Sequence, residues 1–142
     1  MRTPNPLIGT WRLISWETRS IDGEISYPLG KDAVGYIMYN EDGYMFVAIT
    51  RPNRAKFAAG DLLRGTTEEK VQAAGTYVSY CGQYEFRGDT VVHRVELSLF
   101  PNWVGSVQER LVELRGNRLR LSTRPVLLGG VQQTAHLIWE RV

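Results

Sequence analysis

The sequence predicts an all-β fold, an eight-stranded antiparallel up-and-down barrel with one short helix, and three observations carry that expectation. Apolar and polar residues alternate with period two along most of the chain, which is the pattern of half-buried strands. Turn chemistry recurs between those runs at hairpin spacing: Asp22-Gly23, Glu41-Asp42-Gly43, Gly88-Asp89 and Gly116-Asn117. The chain holds seven Tyr, four Trp and four Phe against three Met, and aromatic side chains fit a pleated surface. Eight sequential strands left as an open sheet would expose two edges, and pairing the first with the last removes both. With 142 residues, 43% of them hydrophobic, the chain is read as one domain, residues 1–142, able to bury a core.

The first strand runs from Leu7 to about Arg19, with Trp11 and Leu13 on one face and Ile14 and Trp16 on the other. Asp22-Gly23 turns it into a short strand near Glu24 to Tyr27, and the turn-rich Tyr27 to Gly35 re-aims the chain. Tyr36 to Asn40 and Tyr44 to Thr50 form the next hairpin; Tyr36 and Met38 share one face, as do Tyr44, Phe46 and Ala48. Arg51 to Gly65 is a long polar loop of the kind that serves as a lid. Thr66-Thr67-Glu68-Glu69 matches a capping box, and Val71, Ala74 and Val78 at helical spacing extend the helix to near Tyr80. Strands resume at Gln83 to Arg87, Thr90 to Leu99, Val104 to Leu114, Arg118 to Thr123 and Gln133 to Val142. The stretch Arg124 to Val131, with Pro125, Gly129 and Gly130, reads as a loop.

Composition narrows the function classes. A formal charge of +2 does not argue for nucleic acid, and Arg115, Arg118, Arg120 and Arg124 read as a solvated outer face opposite Leu119, Leu121 and Thr123. The single cysteine, Cys81, excludes an internal disulfide and a cysteine-rich metal site, so a cytoplasmic location is expected. The stretch MRTPNPLIGTW has no apolar run of signal-peptide length, and no segment reaches the roughly 20 apolar residues that span a bilayer. No metal, cofactor, nucleic acid or membrane is expected as a partner; the expected partner is a small hydrophobic molecule, and a homodimer is as compatible with the sequence as a monomer.

The stretch most suggestive of chemistry is Thr90 to Arg110. Val91, His93, Val95, Leu97 and Leu99 fall on one face, which sets one imidazole in an apolar row. The strand ends at Phe100-Pro101-Asn102-Trp103, and the following strand carries Gln108 and Arg110 on one face. A few polar groups among apolar walls are what a small-molecule pocket requires. His93 has two readings: a proton-transfer residue, given an unperturbed pKa of about 6.5, or a core imidazole satisfied by a carbonyl or a tyrosine. If its row faces a cavity, desolvation should lower its pKa. The candidate ligand contacts are Tyr36, Met38, Phe46, Tyr84, His93, Asn102, Trp103, Gln108 and Arg110, with His93 the one candidate catalytic residue. Arg94 and Glu96 read as an outer charged pair or, after a one-residue register error, as pocket lining. His136 is expected outside, opposite the row Ala135, Leu137 and Trp139.

No Ser-His-Asp order, Gly-rich phosphate loop or paired-carboxylate motif is present. Three functions remain: binding of a small apolar molecule in the barrel, cofactor-independent isomerisation, cyclisation or dehydration of a hydrophobic metabolite in the same cavity, or a non-catalytic interaction domain. In the enzymatic reading His93 moves a proton while Gln108 or Arg110 polarises a carbonyl.

On these residues the chain resembles the lipocalin-like domain family of small bacterial and fungal proteins, a branch of the calycin barrels. Gly9-Thr10-Trp11 matches the Gly-x-Trp of a first lipocalin strand, and Arg141 matches the arginine that covers that tryptophan. YPLG from Tyr27, DGYM from Asp42, YCGQYE from Tyr80 and SLFPNWVG from Ser98 extend the likeness over essentially the whole chain. The resemblance implies an eight-stranded barrel with an internal cavity, a fold that hosts carriers and enzymes alike.

Overall fold

The computed structural model describes residues 4–142, so the first three residues of the N-terminal stretch read above for a leader lie outside it. Its strands are β1 (Gly9–Ser20), β2 (Ile25–Ser26), β3 (Val34–Tyr39), β4 (Tyr44–Thr50), β5 (Tyr77–Phe86), β6 (Thr90–Ser98), β7 (Val107–Arg115), β8 (Arg118–Ser122), β9 (Val126–Leu128) and β10 (Val131–Arg141), with one helix, α1 (Thr67–Gly75), between β4 and β5. Antiparallel neighbours follow the order β1-β3-β4-β5-β6-β7-β8-β10. β1 then pairs with β10, from Trp11 opposite Arg141 to Ser20 opposite Gln133, and this closes an eight-stranded barrel. β2 and β9 are short additions beside β1 and β10.

One end of the barrel is sealed by the first and last strands together. Trp11 is completely buried, donates its indole N–H to the Leu7 carbonyl at 2.9 Å, and lies 4.1 Å beneath the Arg141 guanidinium. Arg141 donates in turn to the carbonyls of Ile8 (2.8 Å) and Pro6 (2.7 Å), so one cation covers a ring and ties down the chain leading into β1. Gly9 makes this possible: a Cβ there would stand 2.8 Å from an Arg141 nitrogen, and its φ of +131° is strained for any other residue.

Two bulges set which residues face inward. In β1 the pairing with β10 slips between Leu13 and Ser15, leaving Ile14 unpaired. Trp11 and Leu13 point inward before the slip; after it Trp16 and Thr18 do, where strict alternation placed Trp16 opposite Trp11. In β6 the partner of Gly82 is Val95 and that of Cys81 is Leu97, so Glu96 is the extra residue. Val91, His93 and Val95 are buried, whereas Leu97 and Leu99, expected in the same row, are exposed. Gly82 permits the crossing, since a Cβ there would lie 1.9 Å from the Arg94 carbonyl oxygen.

The helix begins where the capping box places it: Glu69 N–H donates to Thr66 Oγ1 at 3.1 Å, and Thr66 N–H donates to Glu69 Oε1 at 2.8 Å. It ends at Gly75 rather than near Tyr80, because Tyr77 to Gln83 pair with β4 as strand. The aromatic and β-branched run Tyr77-Val78-Ser79-Tyr80 prefers that ladder over a helix that buries none of its own residues. The expected loop 124–131 contains β9, joined to β10 through Gly129 and Gly130, whose φ values of 60° and 79° are those of a tight two-residue hairpin turn. β7 starts at Val107, not Val104, because the preceding turn folds back on β6: Gly105 N–H donates to the Val95 carbonyl at 2.9 Å and Val95 N–H to that of Ser106 at 3.0 Å.

Candidate functional site

Inside the sealed end the barrel is solid, filled by Leu7, Trp11, Leu13, Tyr39, Met45 and Leu119. Toward the other end the side chains part around a cavity of about 440 Å³, within the range of small-molecule sites. Its walls are mostly apolar and include Ile37, Val47, Ile49, Leu121, Leu137 and Trp139. Val107, Val126 and Leu127 stand at its rim and are exposed.

The polar groups gather on the wall made by β5, β6 and β7. His93, 1% exposed, sits between two tyrosines, with Nε2 2.7 Å from Tyr39 Oη and Nδ1 2.7 Å from Tyr80 Oη. Burial, with a smaller contribution from Arg110, pushes the His93 pKa down to about 3, so the imidazole is neutral at physiological pH. Burial likewise holds Tyr39 well above the usual tyrosine value and raises Tyr80, where Arg110 opposes the shift. Across the β6–β7 ladder Gln108 lies opposite His93, and Arg110 donates to Gln108 Oε1 and, at 3.1 Å, to the Glu109 carbonyl. Trp103, in the 3₁₀ turn Pro101–Trp103, closes this side, with its ring edge-on to Tyr80 at 5.8 Å and to Phe100 at 5.4 Å.

Of the residues selected from sequence, His93, Trp103, Gln108 and Arg110 line this one cavity. The other five do not. Tyr36, Met38 and Phe46 point outward and are 45%, 38% and 41% exposed, because β3 and β4 turn Ile37, Tyr39, Met45, Val47 and Ile49 to the interior. Asn102 is exposed at the turn. Tyr84 packs edge-on to Tyr39 at 4.8 Å, but its hydroxyl leaves the cavity, donating to the Asn40 carbonyl at 2.7 Å and accepting from Asn5 Nδ2 at 3.0 Å.

The hydroxyl expected from Tyr84 comes instead from Tyr80, four residues earlier on the same face of β5, and a strand assignment for 77–82 would have revealed it. Tyr39 had no such signal, since both faces of Tyr36-Ile37-Met38-Tyr39 are equally apolar. Trp16 was hidden by the bulge. Arg94 and Glu96 are outside, where Arg94 lies 3.8 Å from Glu85 and Gln83 donates to Glu96 at 3.3 Å. His136 faces outward between Arg120 (2.9 Å) and Thr134 (2.9 Å), its pKa lowered by partial burial and by the Arg120 and Arg19 charges. Among the described residues no three His, Cys, Asp or Glu side chains converge as a metal-binding set, and no helix is long and apolar enough to cross a membrane.

A closed antiparallel barrel, sealed at one end by an arginine-capped tryptophan and hollow at the other, defines a small up-and-down barrel of the calycin type. The chain belongs to the lipocalin-like domain family, whose model matches residues 8–142. It is 34% identical over 107 residues to the 4'-hydroxy-3'-methoxypropiophenone carrier protein ppsC of Aspergillus oryzae (strain ATCC 42149 / RIB 40), a match covering 69% of this chain and 96% of that protein. Its fold is similar to that of a lipocalin-like protein from Bacteroides uniformis ATCC 8492, with a TM-score of 0.51 at 13% identity over 97% of this chain and 100% of the other.

Proposed function

We propose that the protein binds a small, largely apolar molecule inside the barrel and acts as its carrier. The observation that carries this reading is the cavity itself: about 440 Å³ of space with apolar walls and one polar face, reaching solvent past Val107 and Leu127. The relative in Aspergillus oryzae supports it, because it matches almost over its whole length and is named as a carrier of an aryl ketone bearing hydroxyl and methoxyl groups. A molecule of that kind has a flat apolar body for the aliphatic and indole walls and oxygen atoms for the polar face. A cytoplasmic setting belongs to the same reading, supported by a fold whose one cysteine, Cys81, is free.

The enzymatic alternative requires a base, and His93 is poorly suited to that task. Both its nitrogens are engaged by tyrosine hydroxyls, and a pKa of about 3 leaves it a weak proton acceptor near neutrality. Trp16, Trp103 and Trp139 line the cavity and provide the assay. Titration with 4'-hydroxy-3'-methoxypropiophenone should quench tryptophan fluorescence saturably at one equivalent, and chromatography after long incubation should recover the molecule unchanged. Conversion to a product would replace the carrier reading with the enzymatic one; absence of binding by this ketone and by simpler aromatic probes would remove both.

A further inference from the structure

We infer that the ligand carries an anionic oxygen, as a phenolate, enolate or carboxylate, and that it seats this oxygen against Arg110 and Tyr80. The inference rests on the binding role proposed above and adds a charge state and an orientation to it.

The hydrogen bonds around His93 leave one proton without a partner. A neutral imidazole has one N–H donor and one acceptor nitrogen, so one of its tyrosine neighbours donates and the other accepts. Tyr39 is 1% exposed, and its hydroxyl meets only His93 Nε2 among the described residues. Were Nε2 to carry the hydrogen, the Tyr39 proton would be buried with no acceptor, which is costly. Tyr39 therefore donates to Nε2, and Nδ1–H donates to Tyr80. The Tyr80 oxygen is thus occupied as an acceptor while its own proton is left over, and Tyr80 lines the cavity.

Arg110 stands beside that free proton with donors to spare. Five N–H groups belong to a guanidinium; this one meets the Gln108 amide oxygen, the Glu109 carbonyl and the Tyr80 hydroxyl oxygen, which leaves donors over. Among the described residues it forms no ion pair: neighbouring Glu109 is taken by Arg124 at 3.1 Å, and every other ion pair lies elsewhere. A half-buried cation with free donors, beside a hydroxyl with a free proton, forms a donor-rich face, because the acceptors on the same wall are already engaged, Gln108 Oε1 by Arg110 itself and the Glu109 carboxylate by Arg124. An oxyanion satisfies both at once, and a planar one can take two parallel bonds from the guanidinium.

The titratable and charged groups around Arg110 are Tyr80 from β5, His93 from β6, Tyr39 from β3, Glu109 on its own strand and Arg124 from the turn before β9. His93 is already neutral near pH 7 and both tyrosines ionise above their usual value, so a pH effect near neutrality reports the ligand. Three aromatic probes test the inference by fluorescence titration below and above the phenol pKa: 4'-hydroxypropiophenone, whose phenol is acidified by the para carbonyl, its methyl ether, which cannot ionise, and 4-propylbenzoate, ionised throughout. The phenol should bind about tenfold more tightly once ionised, a difference of about 1.4 kcal/mol, while the ether and the benzoate show no such trend. A benzoate tighter than the ether places carboxylates in the class; a pH-dependent phenol with a weak benzoate restricts it to phenolates and enolates. Arg110→Gln should bring the ratio of ionised to neutral affinity close to one, and Arg110→Lys, which keeps the charge, should retain part of it. A phenol profile as flat as that of the ether, or a ratio unchanged in Arg110→Gln, overturns the inference and leaves the binding role standing. Failure of all three probes overturns both.

Discussion

The two ends of the barrel use the same residue types to opposite effect. At the sealed end a tryptophan, an arginine and the carbonyls of the entering chain satisfy one another: the Trp11 N–H has its carbonyl, and Arg141 has a ring and two carbonyls. At the hollow end tryptophan and arginine recur without that closure. Among the described residues Trp16 and Trp139 have buried indole N–H groups with no acceptor, and Arg110 has no counter-ion. Stability and binding are thus separated along the barrel axis. Polar groups that find protein partners hold the chain together, and those that do not are concentrated where there is room for something else.

Truncation of the sealed end should have the largest effect. Trp11→Ala removes a completely buried ring, and chemical denaturation should report a loss of about 3 to 5 kcal/mol. A loss below about 1 kcal/mol would mean that this end does not anchor the fold. Next comes His93→Phe, which keeps the ring volume roughly constant and leaves two buried hydroxyls, those of Tyr39 and Tyr80, without their partner. The expected loss is about 2 to 4 kcal/mol, about 1 to 3 for Tyr39 and about 1 for Tyr80, whose hydroxyl also faces the cavity.

The same residue sets an acid limb to the stability curve. The native pKa of about 3 lies below the unfolded value, so between that value and about 6.5 the unfolded chain binds a proton that the folded chain refuses. Stability should therefore fall as the pH drops below about 6.5, by up to about 1.4 kcal/mol per unit, and this contribution should level off near 3. Urea titrations between about pH 5 and 6.5, above most carboxylate titration, should show a shallower slope in His93→Phe than in the parent. The smallest effect compares one substitution at both ends. Trp11→Phe strands the Leu7 carbonyl and should cost more than about 1 kcal/mol, whereas Trp16→Phe, at an N–H with no acceptor, should cost less than that. Equal costs would erase the contrast.

The fold was legible in the sequence because hairpin turns announce themselves locally and closure follows from edge chemistry. The capping box and the apolar row that holds His93 were readable from spacing, whereas the Trp11–Arg141 pair was implied by the family resemblance. What sequence could not supply were the two slips in register, at Ile14 and at Glu96, since a bulge has no side-chain signature beyond the glycine that sometimes faces it, here Gly82. Those slips account for the misplacement of Trp16, Leu97 and Leu99. The error over Tyr36, Met38 and Phe46 has another source: where both faces of a strand are apolar, alternation gives the period without the phase. Tyr80 was missed because helical spacing in Val71, Ala74 and Val78 competed with a strand run whose ladder partner, β4, is distant in sequence.

The bulge at Ile14 makes β1 tolerant of losing one residue there and intolerant of losing one beyond it. Without Ile14 the strand would alternate regularly from Leu13 through Ser15, with Trp16 and Thr18 still turned inward and every pair with β10 kept. Loss of Glu17 could keep Thr18 inward only by absorbing the bulge, which would turn Trp16 out to water. A frame-preserving loss of codon 14 should thus do less damage than loss of codon 17, three positions along the same strand.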